Sequence, residues 1–80
     1  MLEIKVLGPG CQKCIRLAEN VKQAVAEMNV EANIVKITDL NDIMSFGIMS
    51  TPGLVVNDKV VSYGKLINVA DCKKYIEQYL

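Results

Sequence analysis

The sequence predicts an α/β fold with the element order β-α-β-α-β-β-α, in which a four-stranded mixed sheet is flanked by helices. Three observations support this prediction. An alternating apolar run at Leu2–Leu7 ends at the Gly-Pro-Gly turn of residues 8–10. Apolar residues then recur in steps of three and four from Cys14 to Met28, as on one face of a helix. Farther along, the pair Asn57-Asp58 separates two short apolar runs, which is typical of a β-hairpin.

The first half of the chain predicts a strand–helix–strand unit. The strand Leu2–Leu7 is followed by a helix from Cys11 to about Asn29 and by a second strand at Glu31–Ile37. Crossovers of this length join parallel strands and are almost always right-handed. We therefore expect the first two strands to be parallel neighbours.

The second half of the chain adds a short helix, a hairpin and a last helix. These elements are predicted at Leu40–Phe46, Leu54–Val56, Lys59–Tyr63 and Asn68–Leu80. Asp39 is the expected N-cap of the short helix, and Gly47 is its expected stop. Asn68, with Asp71 three residues later, resembles a capping pair that opens the last helix.

Composition excludes several classes of protein. The chain has 80 residues, of which 51% are hydrophobic, and its formal net charge is zero. We expect residues 1–80 to form a single domain and a monomer. The balanced charge provides no basic surface for nucleic acid or for a membrane, and no apolar run is long enough to span a bilayer. The N-terminus enters a strand without the organisation of a signal peptide, which favours a cytoplasmic, reducing location.

Cys11 and Cys14 are the candidate catalytic residues. They lie where the first strand gives way to the first helix, and chemistry in α/β sheets gathers at the carboxyl ends of strands. Helical spacing places Cys11 at the exposed first turn and turns Cys14 back beside it. Such a pair can form and reopen a disulfide, or it can bind a soft metal ion. Cys72 lies on the apolar face of the last helix and is expected in the core.

The chain resembles the thioredoxin-like superfamily along almost its whole length. It is most similar to the small, glutaredoxin-sized redox-active disulfide proteins of archaea and bacteria. The matching segments are residues 8–11 together with Cys14, residues 46–52, and residues 54–57 followed by residues 59–61. The resemblance implies a thioredoxin-like fold and a protein-disulfide oxidoreductase that needs no cofactor beyond its cysteine pair. It also implies that Cys11 is the attacking thiol and Cys14 the resolving thiol.

The chemistry of thiols agrees with these roles. The thiolate is the nucleophile, and a thiol with a pKa of about 8.5 is only ~3% ionised at pH 7. Free amide groups at a helix N-terminus favour the negative charge, and Lys13 and Arg16 can add to this effect. Cys14, on the apolar side, is expected to stay protonated until it attacks a mixed disulfide.

The remaining candidate residues bind the substrate. Thr51-Pro52 matches the loop that faces the cysteines across the superfamily, where the proline peptide bond is cis. A cis proline presents the preceding backbone to an extended chain, so we expect the Thr51 backbone to pair with a partner strand. Gly10, Gln12 and Lys13, next to Cys11, are the other candidate substrate-binding residues. The implied partners are protein disulfides and a flavin-dependent disulfide reductase or a similar electron donor.

Three sites depart from the related families. Thioredoxins carry a buried acid late in the first strand, where ungapped spacing places Lys5 in this chain. Glutaredoxins usually carry a lysine shortly before the first cysteine, where this chain has Gly8. They also carry a Gly-Gly with an acidic residue after the final strand to hold glutathione, where this chain has residues 63–65, Tyr-Gly-Lys. Neither the proton-relay role of the acid nor a glutathione site is therefore expected to be carried over.

Two other classes of function use the same features. A carrier of copper(I) also places a Cys-x-x-Cys pair between the first strand and the first helix, but its fold ends in a strand. Structural zinc is disfavoured, because the chain has three cysteines and no histidine. A redox-inert module that binds partner strands at Pro52 stays open. Met44 and Met49 are expected to fill the core around the second helix, and soft thioether ligands near the cysteine loop are the alternative. Tyr63 is expected to be half-buried, and a place in a partner groove is its alternative.

Overall fold

The computed structural model describes residues 1–80 and contains one four-stranded sheet. The strands are β1 (Leu2–Leu7), β2 (Ala32–Ile37), β3 (Gly53–Val56) and β4 (Lys59–Tyr63). They lie in the order β2-β1-β3-β4. The β1–β2 pair is parallel, whereas the β1–β3 and β3–β4 pairs are antiparallel. The predicted mixed sheet is therefore confirmed, and β1 is one of its two central strands.

Three helices flank this sheet, and side chains cap each of their N-termini. They are α1 (Gln12–Met28), α2 (Leu40–Ser45) and α3 (Val69–Glu77). Asp39 accepts hydrogen bonds from the first turn of α2, and Asn68 accepts one at 2.8 Å from the backbone of Asp71. All seven predicted elements are present in the predicted order. The last helix ends at Glu77 rather than at Leu80.

The larger core lies between the sheet and the pair α1 and α3, and we call it the α1–α3 core. It contains 12 buried residues: Leu2, Ile4, Val6, Leu17, Ala18, Val21, Ala24, Leu54, Val56, Ile67, Cys72 and Ile76. Alternation along β1 directs its even-numbered side chains to this face. The Asn20 amide also donates a hydrogen bond of 2.9 Å to the Ile67 carbonyl, which links α1 to the segment before α3.

The smaller core, which we call the α2 core, lies on the opposite face of the sheet. It contains four buried residues: Leu7, Ile43, Ile48 and Val55. Only the short helix α2 and the loop after it cover this face. No helix of the protein is both long enough and apolar enough to cross a membrane.

Two expectations about burial were wrong. Met44 is 67% exposed and Met49 is 97% exposed, so neither fills the core. Ile43 is the only buried residue of α2, and Ile48 fills the α2 core from the loop after it, so the neighbouring methionines stay outside. Tyr63 ends the edge strand β4 and is 56% exposed, which is close to the half-burial expected of it.

Candidate functional site

The turn between β1 and α1 places a disulfide at the N-terminus of the first helix. Cys11 and Cys14 are bonded to each other, with their Cα atoms 5.0 Å apart. Cys11 is the N-cap of α1, and its sulfur accepts a hydrogen bond of 3.3 Å from the backbone N–H of Cys14. A sulfur therefore occupies the place of the usual capping oxygen, where the helix N-terminus favours negative charge.

The two sulfur-bearing residues differ in their access to solvent. Cys11 is exposed, whereas Cys14 is only 5% exposed. An incoming molecule can therefore reach the disulfide at Cys11, while Cys14 faces the protein interior. The third cysteine, Cys72, takes no part in this site, because it is fully buried in the α1–α3 core. Its burial raises the pKa of its thiol to about 11, with a smaller contribution from the charge of Asp71.

Gly8 allows Cys14 to pack against the end of β1. A Cβ atom at position 8 would overlap the Cys14 sulfur and would lie 2.8 Å from its Cβ atom. Any larger residue would therefore force the disulfide or the strand to move. This contact leaves no room for a lysine at position 8.

The charged residues close to the disulfide are basic. The first turn of α1 contains no acidic residue, and Lys13 and Arg16 are exposed there. Lys5 does not approach Cys14. Its ammonium forms an ion pair of 3.2 Å with Asp58 and lies 5.4 Å from the centre of the Phe46 ring, on the α2 face of the sheet. Val6, and not Lys5, faces the Cys14 side.

The Thr51-Pro52 segment lies beside the disulfide turn because β1 and β3 are paired. In this pairing Leu7 lies opposite Gly53, so the residues that follow β1 meet the residues that precede β3. The Thr51–Pro52 peptide bond is cis, as the resemblance implied. Pro52 is fully buried, and its carbonyl accepts a hydrogen bond of 2.9 Å from Gly64. The Thr51 N–H and C=O have no hydrogen-bond partner within the backbone.

An apolar groove of about 380 Å³, which we call the Met49 groove, begins at this loop. Pro9 and Thr51 line its end next to the disulfide, and Leu40, Met44 and Met49 line it farther away. None of its eight lining residues is charged. Sequence reasoning missed this groove, because it assigned both methionines to the core.

A second opening of about 210 Å³, which we call the Lys36 cavity, lies on the other side of the disulfide. It is lined by Val6, Gly8, Gly10, Cys14, Ile15, Lys36 and Thr38. Sequence reasoning also missed Lys36. The alternation of side chains along β2 could have predicted its position, since Lys36 is two residues after Ile34 and points to the same face.

The other predicted substrate-binding residues surround the exposed sulfur. Gly10, Gln12 and Lys13 are all exposed next to Cys11. Gly10 has a φ of +101°, which a residue with a side chain rarely adopts, so this position needs glycine. No three histidine, cysteine or carboxylate side chains are grouped so that they could hold a metal ion.

Comparison with known proteins agrees with this geometry. A family model described as "Thioredoxin domain" matches residues 2–77. The chain is 41% identical to a thioredoxin of Methanocaldococcus jannaschii over 80 residues, which cover all of this chain and 92% of that protein. It is 30% identical to a thioredoxin of Methanothermobacter thermautotrophicus over 76 residues, which cover 95% of this chain and 99% of that protein. The chain therefore belongs to the thioredoxin domain family and is a thiol-disulfide oxidoreductase that acts on protein disulfides.

Proposed function

We propose that Cys11 is the attacking thiol of this oxidoreductase and Cys14 the resolving thiol. The observation that carries the proposal is the unequal exposure of the two residues, with Cys11 open to solvent at the helix N-terminus and Cys14 buried behind it. Disulfide exchange needs an accessible thiolate for the first attack and a nearby second thiol for the release.

The reaction balances with these two residues alone. The Cys11 thiolate attacks one sulfur of a partner disulfide, which forms a mixed disulfide and releases one partner thiolate. Cys14 then loses its proton and attacks the Cys11 sulfur, which closes the Cys11–Cys14 disulfide and releases the second partner thiolate. Two electrons pass to the partner, and its two thiolates take up protons.

We further propose that the partner chain lies along Thr51 and the Met49 groove. The unpaired N–H and C=O of Thr51 suit an extended strand, since such strands bind through backbone hydrogen bonds. The uncharged groove next to it suits an apolar side chain of that strand. Gly10 leaves room for the partner backbone, and Gln12 and Lys13 flank the partner cysteine. Because Pro52 is fully buried, its role is to position Thr51.

The wider setting is also a proposal. We infer that residues 1–80 act as one thioredoxin-like domain, as a monomer in the cytoplasm. A flavin-dependent disulfide reductase or a similar donor would return electrons to the oxidised protein. A donor is needed because each round of partner reduction leaves the Cys11–Cys14 disulfide closed, and it must be reduced before the next round.

A trapping experiment tests the assignment of the two thiols. Cys14→Ser should accumulate a mixed disulfide with a disulfide-containing protein such as insulin, joined through Cys11, because the resolving step is blocked. Cys11→Ser should accumulate none, and Cys72→Ala is the matched control that should turn over normally. A stable adduct through Cys14 in the Cys11→Ser variant, at a comparable yield, would overturn the assignment.

A second experiment separates this function from copper(I) carriage. The Cys11–Cys14 couple is titrated against a dithiothreitol redox buffer, with and without copper(I). A reversible two-electron couple together with insulin reduction supports the proposal. Tight copper(I) binding without reduction of any protein disulfide would contradict it.

Replacement of Pro52 tests the substrate surface. Pro52→Ala should weaken insulin reduction by raising the apparent KM, because Thr51 is no longer held for pairing. The titration of the cysteine couple should still show two electrons. An unchanged KM would argue against binding at Thr51.

A further inference from the structure

The Lys36 cavity gives solvent a way to the sheltered cysteine. Cys14 is almost completely buried, yet it lines this opening together with Val6 and Lys36. In the resolving step, Cys14 attacks the Cys11 sulfur only after its own thiol has lost a proton. A buried thiol does so reluctantly, because burial disfavours the thiolate. The proposed function therefore needs something near Cys14 that stabilises negative charge.

The strand pairing directs Lys36 toward this cavity. Lys36 of β2 lies opposite Val6 of β1, and alternation turns both side chains to the face that carries α1. Val6 belongs to the α1–α3 core, whereas Lys36, on the edge strand, is exposed. The lysine stem can thus lie along the cavity wall while its ammonium stays hydrated.

Lys36 and Cys14 are the only titratable residues that line the cavity. The other charged side chains nearby do not point into the cavity. Lys13 and Arg16 lie on the exposed side of α1, and Lys5 points to the opposite face of the sheet toward Asp58. Asp39 caps α2, on the other side of the sheet from α1. No carboxylate lines the cavity, so none is placed there to accept the proton of Cys14.

We propose that the Lys36 ammonium stabilises the thiolate of Cys14 across this cavity during the resolving step. This inference rests on the proposed roles of Cys11 and Cys14 and adds a positioning residue to them. The proton of Cys14 passes to water in the cavity, and the thiolate that remains attacks the Cys11 sulfur. The electron pair then leaves with the partner sulfur, as in the balanced reaction above. Lys36 exchanges no proton in this step and contributes its charge alone.

The size of the effect follows from two opposing factors. Loss of a nearby positive charge that is partly screened by water should raise the pKa of Cys14, because its thiolate loses a stabilising partner. At pH 7 that change lowers the thiolate fraction by about 3- to 10-fold. A more basic thiolate is also a better nucleophile, with a Brønsted slope of about 0.4–0.5. The net result is a resolving step that is roughly two- to fourfold slower at pH 7.

Stopped-flow reaction with one equivalent of 4,4′-dithiodipyridine tests the proposal. This uncharged probe releases one thiopyridone when Cys11 attacks it and a second when Cys14 resolves the adduct, so the two steps appear as separate absorbance phases. For Lys36→Met we expect an unchanged first phase and a second phase that is slower at pH 7. Lys36→Arg should restore the second phase, because it keeps the positive charge. Lys59→Met is the matched control, since it removes an exposed strand lysine at the far end of the sheet.

The pH profile distinguishes a charge effect from structural damage. Well above its pKa, Cys14 is a thiolate in both proteins, so the rate of the second phase in Lys36→Met should equal or exceed the rate in the parent. A second phase that is unchanged at pH 7, is equally slow at every pH, or is not restored by Lys36→Arg would overturn the proposal. Failure of the proposed function would appear elsewhere, as a loss of the first phase in Cys14→Ser.

Discussion

The two faces of the sheet differ in thickness, and the site uses both of them. The α1–α3 core buries 12 residues beneath two helices, whereas the α2 core buries four beneath a single short helix. We call the face covered by α1 and α3 the thick face, and the face covered by α2 the thin face. Cys14 is the first buried residue of α1, on the thick face. The Met49 groove lies on the thin face, where Leu40, Met44 and Met49 are exposed.

This difference separates two requirements of disulfide exchange. The cysteines must keep one geometry through repeated opening and closing, and a closely packed core resists displacement. A partner surface has to fit different chains, and flexible methionine side chains on a thinly covered face can adapt to them. The thick face thus fixes the chemistry, and the thin face supports recognition.

Core truncations should show the largest contrast between the faces. Leu17→Ala should cost about 4–5 kcal/mol of the free energy of unfolding, near the top of the usual range. Leu17 is almost fully buried in the 12-residue α1–α3 core, where little can relax into the space left. Ile43→Ala in the α2 core should cost about 2–3 kcal/mol, since short α2 can relax into the space. Urea unfolding of the oxidised proteins measures both, and Val21→Ala serves if Leu17→Ala does not fold. Equal costs would remove the distinction between the faces.

Alkaline pH should weaken the thick face through Cys72. Burial raises the pKa of this thiol to about 11, whereas an unfolded chain ionises it near 8.5. The protonated thiol therefore stabilises the native state fully below about pH 8.5, and this contribution is lost as the pH rises toward 11. The expected loss is roughly 2–3 kcal/mol by pH 11.

Comparison with Cys72→Ala isolates this contribution. The oxidised protein is used, so that the other two cysteines do not titrate. The stability difference between parent and variant should shrink between pH 9 and pH 11. A difference that stays constant across that range would show that Cys72 is not sheltered as described.

Gly8→Ala should disturb the junction between the core and the disulfide. The added methyl group would overlap Cys14, which should cost about 1–3 kcal/mol and slow both phases of the reaction with dithiodipyridine. Gly47→Ala is the control on the thin face. Its φ of +81° makes alanine strained by about 1–2 kcal/mol, but its new Cβ atom touches nothing. We expect the two variants to lose similar amounts of stability, whereas only Gly8→Ala should react more slowly with dithiodipyridine. Equal reaction rates in Gly8→Ala and Gly47→Ala would contradict this prediction.

How far the sequence predicts the structure also differs between the faces. On the thick face, helical periodicity predicted the buried residues of α1 from Cys14 to Val21, and strand alternation predicted those of β1. Farther along α1, Ala24 is buried and Val25 only partly so, which the periodicity did not distinguish. These patterns work because a continuous apolar stripe must face a core. The cysteine pair and its unequal exposure followed from the same periodicity.

On the thin face the sequence patterns are too short to predict which residues are buried. Helix α2 makes fewer than two turns, so its periodicity could not distinguish Met44 from a core position. Met49 lies in the loop after α2, where no periodicity applies. Lys36 and Gly8 were missed for another reason. Their roles depend on strand pairing and on a contact with Cys14, which join residues that are distant in sequence or hidden by the turn. Local periodicity contains no information about such contacts.

Replacement of Met49 should have the smallest effect on stability and still change recognition. Its side chain is 97% exposed, so Met49→Ser should change the free energy of unfolding by less than about 0.5 kcal/mol. A partner that half-buries this side chain would lose about 1 kcal/mol, which corresponds to a roughly fivefold higher KM for a protein disulfide. The rate with dithiodipyridine, which is too small to fill the groove, should not change. An unchanged KM for insulin would mean that partners do not use the thin face, and recognition would then rest on the backbone of Thr51 and the surface around Cys11.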